Sequence, residues 1–400
     1  MAKIFAVNAG SSSLKFKIYE MPQETVICSG LVERIGYDNA VNTIKDANGV
    51  KVLVQELPIL DHVQAVKAAL DGLFTKGFIK SLDEIKGVGH RIVQGGKYFA
   101  DSTLLDDKVY KIISDLRNLA PLHNQAALLG IDAFKKELPE VPMVTVFDTA
   151  FHQTMLPEDY AFAIPNEYAK KYDIRRYGAH GTSHKYLAEK ALKYIDKKED
   201  VKIISCHLGS GASLCAIKDG KCVATSMGLT PLGGIMMGTR TGDMDPSVFW
   251  YLCKVLNKTP DEIYDMLNKK SGFLGVSGIS NDARDVLTAM DKGSEDALLA
   301  HKLFIRRVVD YIGSYFLRLG GCDAIIFSAG IGENDDRYRA DISKELEAAL
   351  GCKLDLEKNR GLRGIERDLT GKDSNIKMLC IPTDEEVMIA RDTYRIGKVK

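Results

Sequence analysis

The sequence predicts a mixed helix-and-sheet protein, α/β or α+β, in two related halves, and three observations carry that reading. Four hundred residues exceed one comfortable hydrophobic core. Residues 4–19, IFAVNAGSSSLKFKIY, read as strand, tight turn, strand, with the period-two alternation of a half-buried second strand. That layout returns at residues 202–218, KIISCHLGSGASLCAIK, with His207 in the place of Asn8 and one inserted residue. The first turn, Asn8-Ala9-Gly10-Ser11-Ser12-Ser13, has little side-chain bulk and offers backbone N–H groups and hydroxyls to an anion. One such hairpin is an ordinary Ser-rich turn. Two of them, opening two halves, predict a duplicated domain with a nucleotide held between the copies.

Along the chain, residues 28–35 and 50–57 read as further strands, with Asp46-Ala47-Asn48-Gly49 as a turn. Residues 62–74 carry Val63, Val66, Leu70 and Leu73 at helical spacing behind an N-cap at Asp61. A strand over 84–93 runs into the polar loop 94–101, and helices are expected to flank residues 119–124. Residues 143–147 form a short strand ending at Asp148, and the halves are expected to divide just beyond it. The predicted domains are 1–149 with 386–400, and 150–385. In the second half, residues 156–165 are irregular and 175–184 form a Gly/His/Arg loop. A helix follows from His184, capped by Thr182 or Ser183. Residues 228–246 make a long Gly-rich loop with no apolar periodicity, a kind of segment that tends to carry function. One long helix spans 294–319, strands occupy 323–327 and 376–381, and Asp384-Glu385-Glu386 open a terminal helix with the acidic first turn its dipole favours.

Composition narrows the class. Hydrophobic residues make up 45% and charged residues 27%, as in an ordinary globular protein. Lys+Arg and Asp+Glu both number 54, so no net charge serves nucleic acid or an anionic membrane. No run approaches the ~20 apolar residues of a membrane helix, and the first residues enter a strand without a secretory signal. The eight cysteines are scattered without a CxxC pair, the pattern of buried free thiols. A reduced cytoplasmic enzyme is expected, with no nucleic-acid or membrane partner.

The common nucleotide motifs GxxxxGK[ST] and GxGxxG after a strand are absent, as are kinase HRD and DFG sets. Phosphates would have to be held by the hairpin turns and the strand-to-loop turn 329–334. Arg91 in GHRIVQGG and Arg240 in MMGTRTGD place planar donor forks among glycines, which suits carboxylate or phosphate. His180 and His184 have the i, i+4 spacing of a zinc pair, but the first three residues of HGTSH read as loop and the Glu of HExxH is missing. No zinc site is expected, and His180 is left for a ligand. His123 and His152 sit at element ends, whereas His62 and His301 read as helix-surface residues. Asp148 ends a strand where α/β ligands tend to sit. Asn8 and Glu385 offer the oxygen ligands that Mg²⁺ takes.

Nine motifs in order make the chain resemble the acetokinase family, within the sugar kinase/Hsp70/actin superfamily, from about Lys3 to Arg395. They are NAGSSSLKF (8–16), GHRIVQGG (89–96), APLHN (120–124), FDTAFH (147–152), YGAHGTSH (177–184), HLGSGAS (207–213), MMGTRTGDMDP (236–246), SAGIGEN (328–334) and PTDEE (382–386). The resemblance implies an α/β fold of two duplicated actin-like (ribonuclease H-like) βββαβαβα domains with an interdomain active-site cleft, and a homodimer formed mainly through the second domain. It implies reversible transfer of the ATP γ-phosphoryl group to acetate, giving acetyl phosphate and ADP. Asp148, His180 and Arg240 take the catalytic roles by resemblance, and Arg91 binds the substrate, with Val93, Leu122, Ala179 and Pro231 around its methyl. ATP or ADP contacts fall on Lys15, His207, Leu208, Gly209, Ser210, Gly211, Asp282, Ala283, Arg284, Gly330, Ile331, Gly332, Glu333 and Asn334. Asn8 and Glu385 hold Mg²⁺, or Mn²⁺. Acetate is already ionised at neutral pH, so Asp148 is expected to orient the metal shell or the substrate rather than remove a proton. The chain departs from the family at Ala179, usually Phe, at Ser210, usually Asn, and at Gln94, usually His. Loss of the ring at position 179 would loosen acyl selectivity towards propionate, making a short-chain acyl kinase the alternative reading. A nucleotide-driven binding protein of the same fold is the other, and it would not need Arg91, His180 and Arg240 together.

Overall fold

Both halves are built on a mixed sheet with the same strand order. The computed structural model of the chain describes residues 1–399, and the side chains of Pro121 and Leu122 lie outside the described residues. The chain divides into residues 1–153 with 384–400, and residues 154–383. The first unit contains β1 (Ala2–Gly10), β2 (Ser13–Met21), β3 (Thr25–Glu33), β4 (Tyr37–Asp46), β5 (Lys51–Ile59), β6 (Ile85–Ile92), β7 (Thr103–Leu104) and β8 (Met143–Phe147). They lie in the order β5-β4-β3-β2-β1-β6-β8-β7. The second contains β9 (Lys202–Leu208), β10 (Ala212–Lys218), β11 (Lys221–Thr225), β12 (Ala324–Ser328), β13 (Arg367–Asp368) and β14 (Lys377–Cys380), in the order β11-β10-β9-β12-β14-β13.

Three antiparallel strands, two parallel ones and a short antiparallel edge recur in both sheets, and the β4–β5 hairpin is an addition to the first. The parallel strands β8 and β12 are buried at every position, as strands covered on both faces must be. In the first unit alternate residues of β6 face opposite layers. His90 meets the Phe134 ring edge-on at 5.4 Å from the helix Pro121–Glu137. Gly87 and Gly89 face the helix Glu385–Ile396: a Cβ at Gly89 would fall 2.2 Å from Thr393 Oγ1 and 2.4 Å from Ile389 Cγ2. Only glycine lets that terminal helix sit so close to the strand carrying Arg91. In the second unit Ser205 and Cys215 pair across β9 and β10, as do His207 and Ser213, so these four share a face. Leu208, Ala212, Leu214 and Ala216 join the apolar core with the long helix Glu295–Leu319.

Several expectations are corrected. The first hairpin turns at Ser11-Ser12 alone, because the strands extend through Asn8–Gly10 and Ser13 in register. β4 occupies residues that polar spacing had concealed. Pro121 opens a helix, so residues 121–124 form its first turn rather than a linker. The HGTSH helix starts at Gly181, with His180 at its N-cap in the left-handed region (φ 59°) and no side-chain cap. Thr182 and Ser183 are not caps, and the Ser183 hydroxyl is engaged by His207 Nδ1 and Thr383 Oγ1 instead. His62 and His301 are buried, not surface residues: His62 Nε2 lies 2.8 Å from the Gly10 carbonyl and His301 Nε2 lies 2.8 Å from Asp341. No helix among the described residues is long and apolar enough to cross a membrane.

Candidate functional site

The first unit gathers its charges at the ends of β6 and β8, parallel neighbours that deliver Arg91 and Asp148 side by side. Arg91 donates from Nε to Asp148 Oδ1 at 3.0 Å and from Nη2 to Oδ2 at 2.7 Å. This is the bidentate fork that fixes a guanidinium plane. Its remaining nitrogen, Nη1, lies 3.4 Å from Glu385 Oε2 at the start of the terminal helix. Burial works against the Arg91 charge, but Asp148 and Glu385 more than restore it. Burial pushes the Glu385 carboxyl up, Arg91 pulls it down, and Asp148 and Glu386 push it up again, leaving it raised. Glu386 is driven the other way: burial opposes its charge, yet Lys15 and Lys17 hold it down to about 2. Lys15 Nζ lies 2.5 Å from Glu386, and Lys17 Nζ lies 3.0 Å from Asp384, the residue that caps the helix.

In this cluster Asp148, Asp384, Glu385 and Glu386 face Arg91, Lys15 and Lys17. The carboxylates exceed the cations by one, and the least neutralised is Glu385. A hard divalent cation fits such oxygen donors. Asn8 stands opposite Lys15 in the β1–β2 register and is only half-buried.

The second unit gathers His180, His207 and Arg240 around the β9–β10 turn, Gly209-Ser210-Gly211. His180 and His207 stack with centroids 4.2 Å apart. Arg240 donates from Nη1 to the Pro231 carbonyl at 3.3 Å, and no carboxylate pairs with it among the described residues. Burial lowers its pKa, with Tyr264 acting weakly in the other direction. A desolvated guanidinium without a counter-charge is stabilised by an incoming anion. The place for one is marked by Gly211, where a Cβ would lie 3.4 Å from Arg240 Nη1 and 3.6 Å from His180 Nε2.

Beside this turn opens a cavity of about 380 Å³, of nucleotide size. Gly209, Ser210, Asp282, Ala283, Arg284, Gly330, Ile331 and Asn334 line it, as the resemblance implied, together with Phe273, Asn281, Asp335 and Arg363, which sequence reasoning did not single out. Gly209 and Gly330 face one another closely: a Cβ on Gly209 would lie 3.7 Å from the Gly330 nitrogen. Asp282 grips Arg284 through Nε at 3.0 Å and caps the helix Ala283–Asp291. His207, Leu208, Gly332 and Glu333 do not line the cavity. Leu208 is in the core, and the Gly332 carbonyl accepts from Arg339 at 2.8 Å. Glu333 Oε1 accepts from the backbone N–H of Ala329 at 2.7 Å and of Thr383 at 2.9 Å, tying the strand-to-helix turn to the end of the unit.

The residues implied for the methyl pocket are divided. Val93 is half-buried in the first unit, and the Leu122 side chain lies outside the described residues. In the second, Pro231 is half-buried and Ala179 is 2% exposed. Gln94, in place of the usual His, is buried and braces its own loop: its Oε1 accepts from Gly96 N, and its backbone pairs twice with Asn124. Lys17, Glu386, Ser183 and Ser213 also belong to these clusters. The lysine spacing on β2 could have revealed Lys17, but no local signal marked the serines.

The acetokinase family pattern matches residues 3–391. The chain is 51% identical over 400 residues to an acetate kinase of Bacillus subtilis and 50% identical over 401 residues to one of Macrococcus caseolyticus, covering 100% of each chain in both cases. Among solved structures it is similar to an acetate kinase of Porphyromonas gingivalis, with TM-score 0.93 and 40% identity over 99% of this chain and 100% of that one. It is also similar to a propionate kinase of Francisella tularensis, with TM-score 0.92, 40% identity and the same coverage.

The position of Glu333 generates a discriminating prediction. Glu333→Ala leaves buried N–H groups without an acceptor and should cost about 1–3 kcal/mol, whereas Glu333→Gln keeps Oε1 and should cost less. Thermal unfolding of both variants measures this. An unchanged unfolding midpoint in Glu333→Ala, with only the KM for ATP raised, would make Glu333 a nucleotide ligand rather than a brace.

Proposed function

The chain belongs to the acetokinase family, and from that premise we propose that it reversibly transfers the ATP γ-phosphoryl group to acetate. The observation that carries this reading is that each unit holds its own, differently equipped anion seat. Arg240, His180 and the glycine turn adjoin a nucleotide-sized cavity, and Arg91 is a fork held rigid by Asp148. A nucleotide-driven binding protein would need the first seat but not the second.

In the reaction an acetate oxygen attacks the γ-phosphorus, the bond to the β,γ-bridging oxygen breaks, and ADP leaves with that electron pair. Acetate carries no proton to remove. Transition-state charge spreads over three equatorial oxygens, so positioned donors supply most of the stabilisation. Arg240 and His180 donate to those oxygens, and Arg91 holds the acetate carboxylate. Asp148, with both oxygens committed to Arg91, serves as the orienting partner of that guanidinium and not as a base. Gly209, Ser210, Asp282, Ala283, Arg284, Gly330, Ile331 and Asn334 would hold ATP, and the family resemblance adds Lys15 as a further phosphate contact. Asn8 and Glu385 would hold Mg²⁺, which when bound would neutralise charge on the nucleotide phosphates. The small Ala179 side chain would admit propionate as a slower substrate.

We also place the enzyme in the cytoplasm, in keeping with its eight free cysteines, and read it as a homodimer. The helix Pro246–Val255, PSVFWYLCKV, buries none of its residues, and Trp250 and Tyr251 are 57% and 58% exposed. An apolar helix left in water is the mark of an interface. Trp250→Glu should convert a dimer to monomer in sedimentation experiments; a monomeric wild type at micromolar concentration would refute the assembly.

The direct test of the activity incubates the protein with ATP, Mg²⁺ and acetate, propionate or butyrate, trapping acyl phosphate with hydroxylamine. Acetyl hydroxamate should form fastest, with propionate within about a hundredfold. In Asp148→Asn, kcat/KM for acetate should fall by roughly a hundredfold or more. ATP binding without acyl phosphate from any acid would reject the reading.

A further inference from the structure

His180 is held by a chain of hydroxyls that fixes where its proton lies. Its Nδ1 is 2.8 Å from Ser213 Oγ, and the same oxygen is 2.9 Å from His184 Nε2. His184 Nδ1 is in turn 2.6 Å from Ser205 Oγ. Ser205, Ser213 and His184 are all fully buried, so water does not compete for these bonds. A serine hydroxyl has one proton to donate. If Ser213 accepted from both rings, that proton would be buried without a partner, at a cost in stability. Ser213 therefore donates to one histidine and accepts from the other.

Two senses of the chain satisfy this rule. In one, Ser205 donates to His184 Nδ1, His184 Nε2–H donates to Ser213, and Ser213 donates to His180 Nδ1. The ring proton of neutral His180 is then on Nε2. In the reverse sense it is on Nδ1, and Nε2 presents a lone pair. The position beside Gly211, within 3.6 Å of both His180 Nε2 and Arg240 Nη1, needs two donors to hold a phosphoryl oxygen. A charged His180 would meet that need too, but it would face the Arg240 guanidinium and lie stacked at 4.2 Å on His207.

We propose that Ser213 and His184 are positioning residues that lock neutral His180 in its Nε2–H tautomer, so that it donates to the transferred phosphoryl group beside Arg240 without taking up a proton. This rests on the phosphoryl-transfer reading above, but the tautomer can be read without turnover. Protein carrying ¹⁵N-labelled histidine should show, at neutral pH, a protonated Nε2 and a bare Nδ1 for His180 in two-bond ¹H–¹⁵N spectra. In Ser213→Ala the pattern should become a mixture of tautomers. The kcat for acyl phosphate formation should fall up to about a hundredfold with little change in the KM for ATP, and Ser213→Thr should restore both. A wild-type His180 protonated on Nδ1 would overturn the proposal even if Ser213→Ala failed to fold. So would a Ser213→Ala variant with an unmixed Nε2–H tautomer and full kcat. Absence of acyl phosphate from the wild type would instead defeat the phosphoryl-transfer reading, leaving the tautomer measurement to stand by itself.

Discussion

A guanidinium taken out of water needs acceptors or an anion, and Arg91 and Arg240 meet that need in opposite ways. Arg91 is satisfied permanently by Asp148 through two parallel bonds, so its plane and remaining nitrogen are fixed before any substrate arrives. Arg240 touches a carbonyl and a thioether but no carboxylate among the described residues, and burial destabilises its charge. The first arrangement suits orientation of a ground-state carboxylate. On the phosphoryl-transfer reading proposed above, the second would keep electrostatic stabilisation in reserve for charge that develops during reaction, where a low dielectric makes it strongest.

The fold supplies both sites from one plan. In each sheet a leading hairpin is followed by two parallel strands and a short antiparallel edge. The leading hairpins carry Asn8 and Lys15 in one unit and His207 and Ser213 in the other, each as a cross-strand pair. The copies diverge at the turn: two residues separate β1 from β2, whereas three separate β9 from β10. Gly211, in the longer turn, lies against Arg240 and His180. Identical topology thus supports a carboxylate-rich cluster in one unit and an anion seat in the other.

Most of the strands (though not β4 or the short edge strands), the long helix and the glycine loops were legible because apolar period and turn chemistry are local signals. The pairing of Arg91 with Asp148 spans 57 positions and that of Lys17 with Asp384 spans 367, so the residues of each pair are distant in sequence. Family resemblance identified Arg91 and Asp148 but not the bond between them. Polarity misled at His62 and His301, since a helix can bury an imidazole whenever one partner waits for it. Ser183 looked like a cap because serine caps helices, yet its hydroxyl serves His207. Glu333 lies in a motif associated with nucleotide, but its carboxylate turns to the backbone. Local pattern reveals which residues are special more readily than what each side chain touches.

Holding Arg240 for the transition state has a direct thermodynamic consequence. Calorimetric titration should compare MgADP alone with MgADP, acetate and aluminium fluoride, a planar mimic of the transferring group, in wild type and Arg240→Gln. Wild type should bind the mimic complex at least about a hundredfold more tightly than MgADP alone. Arg240→Gln should lose that gain while keeping its affinity for MgADP. An Arg240→Gln variant that retains the full gain would contradict the claim.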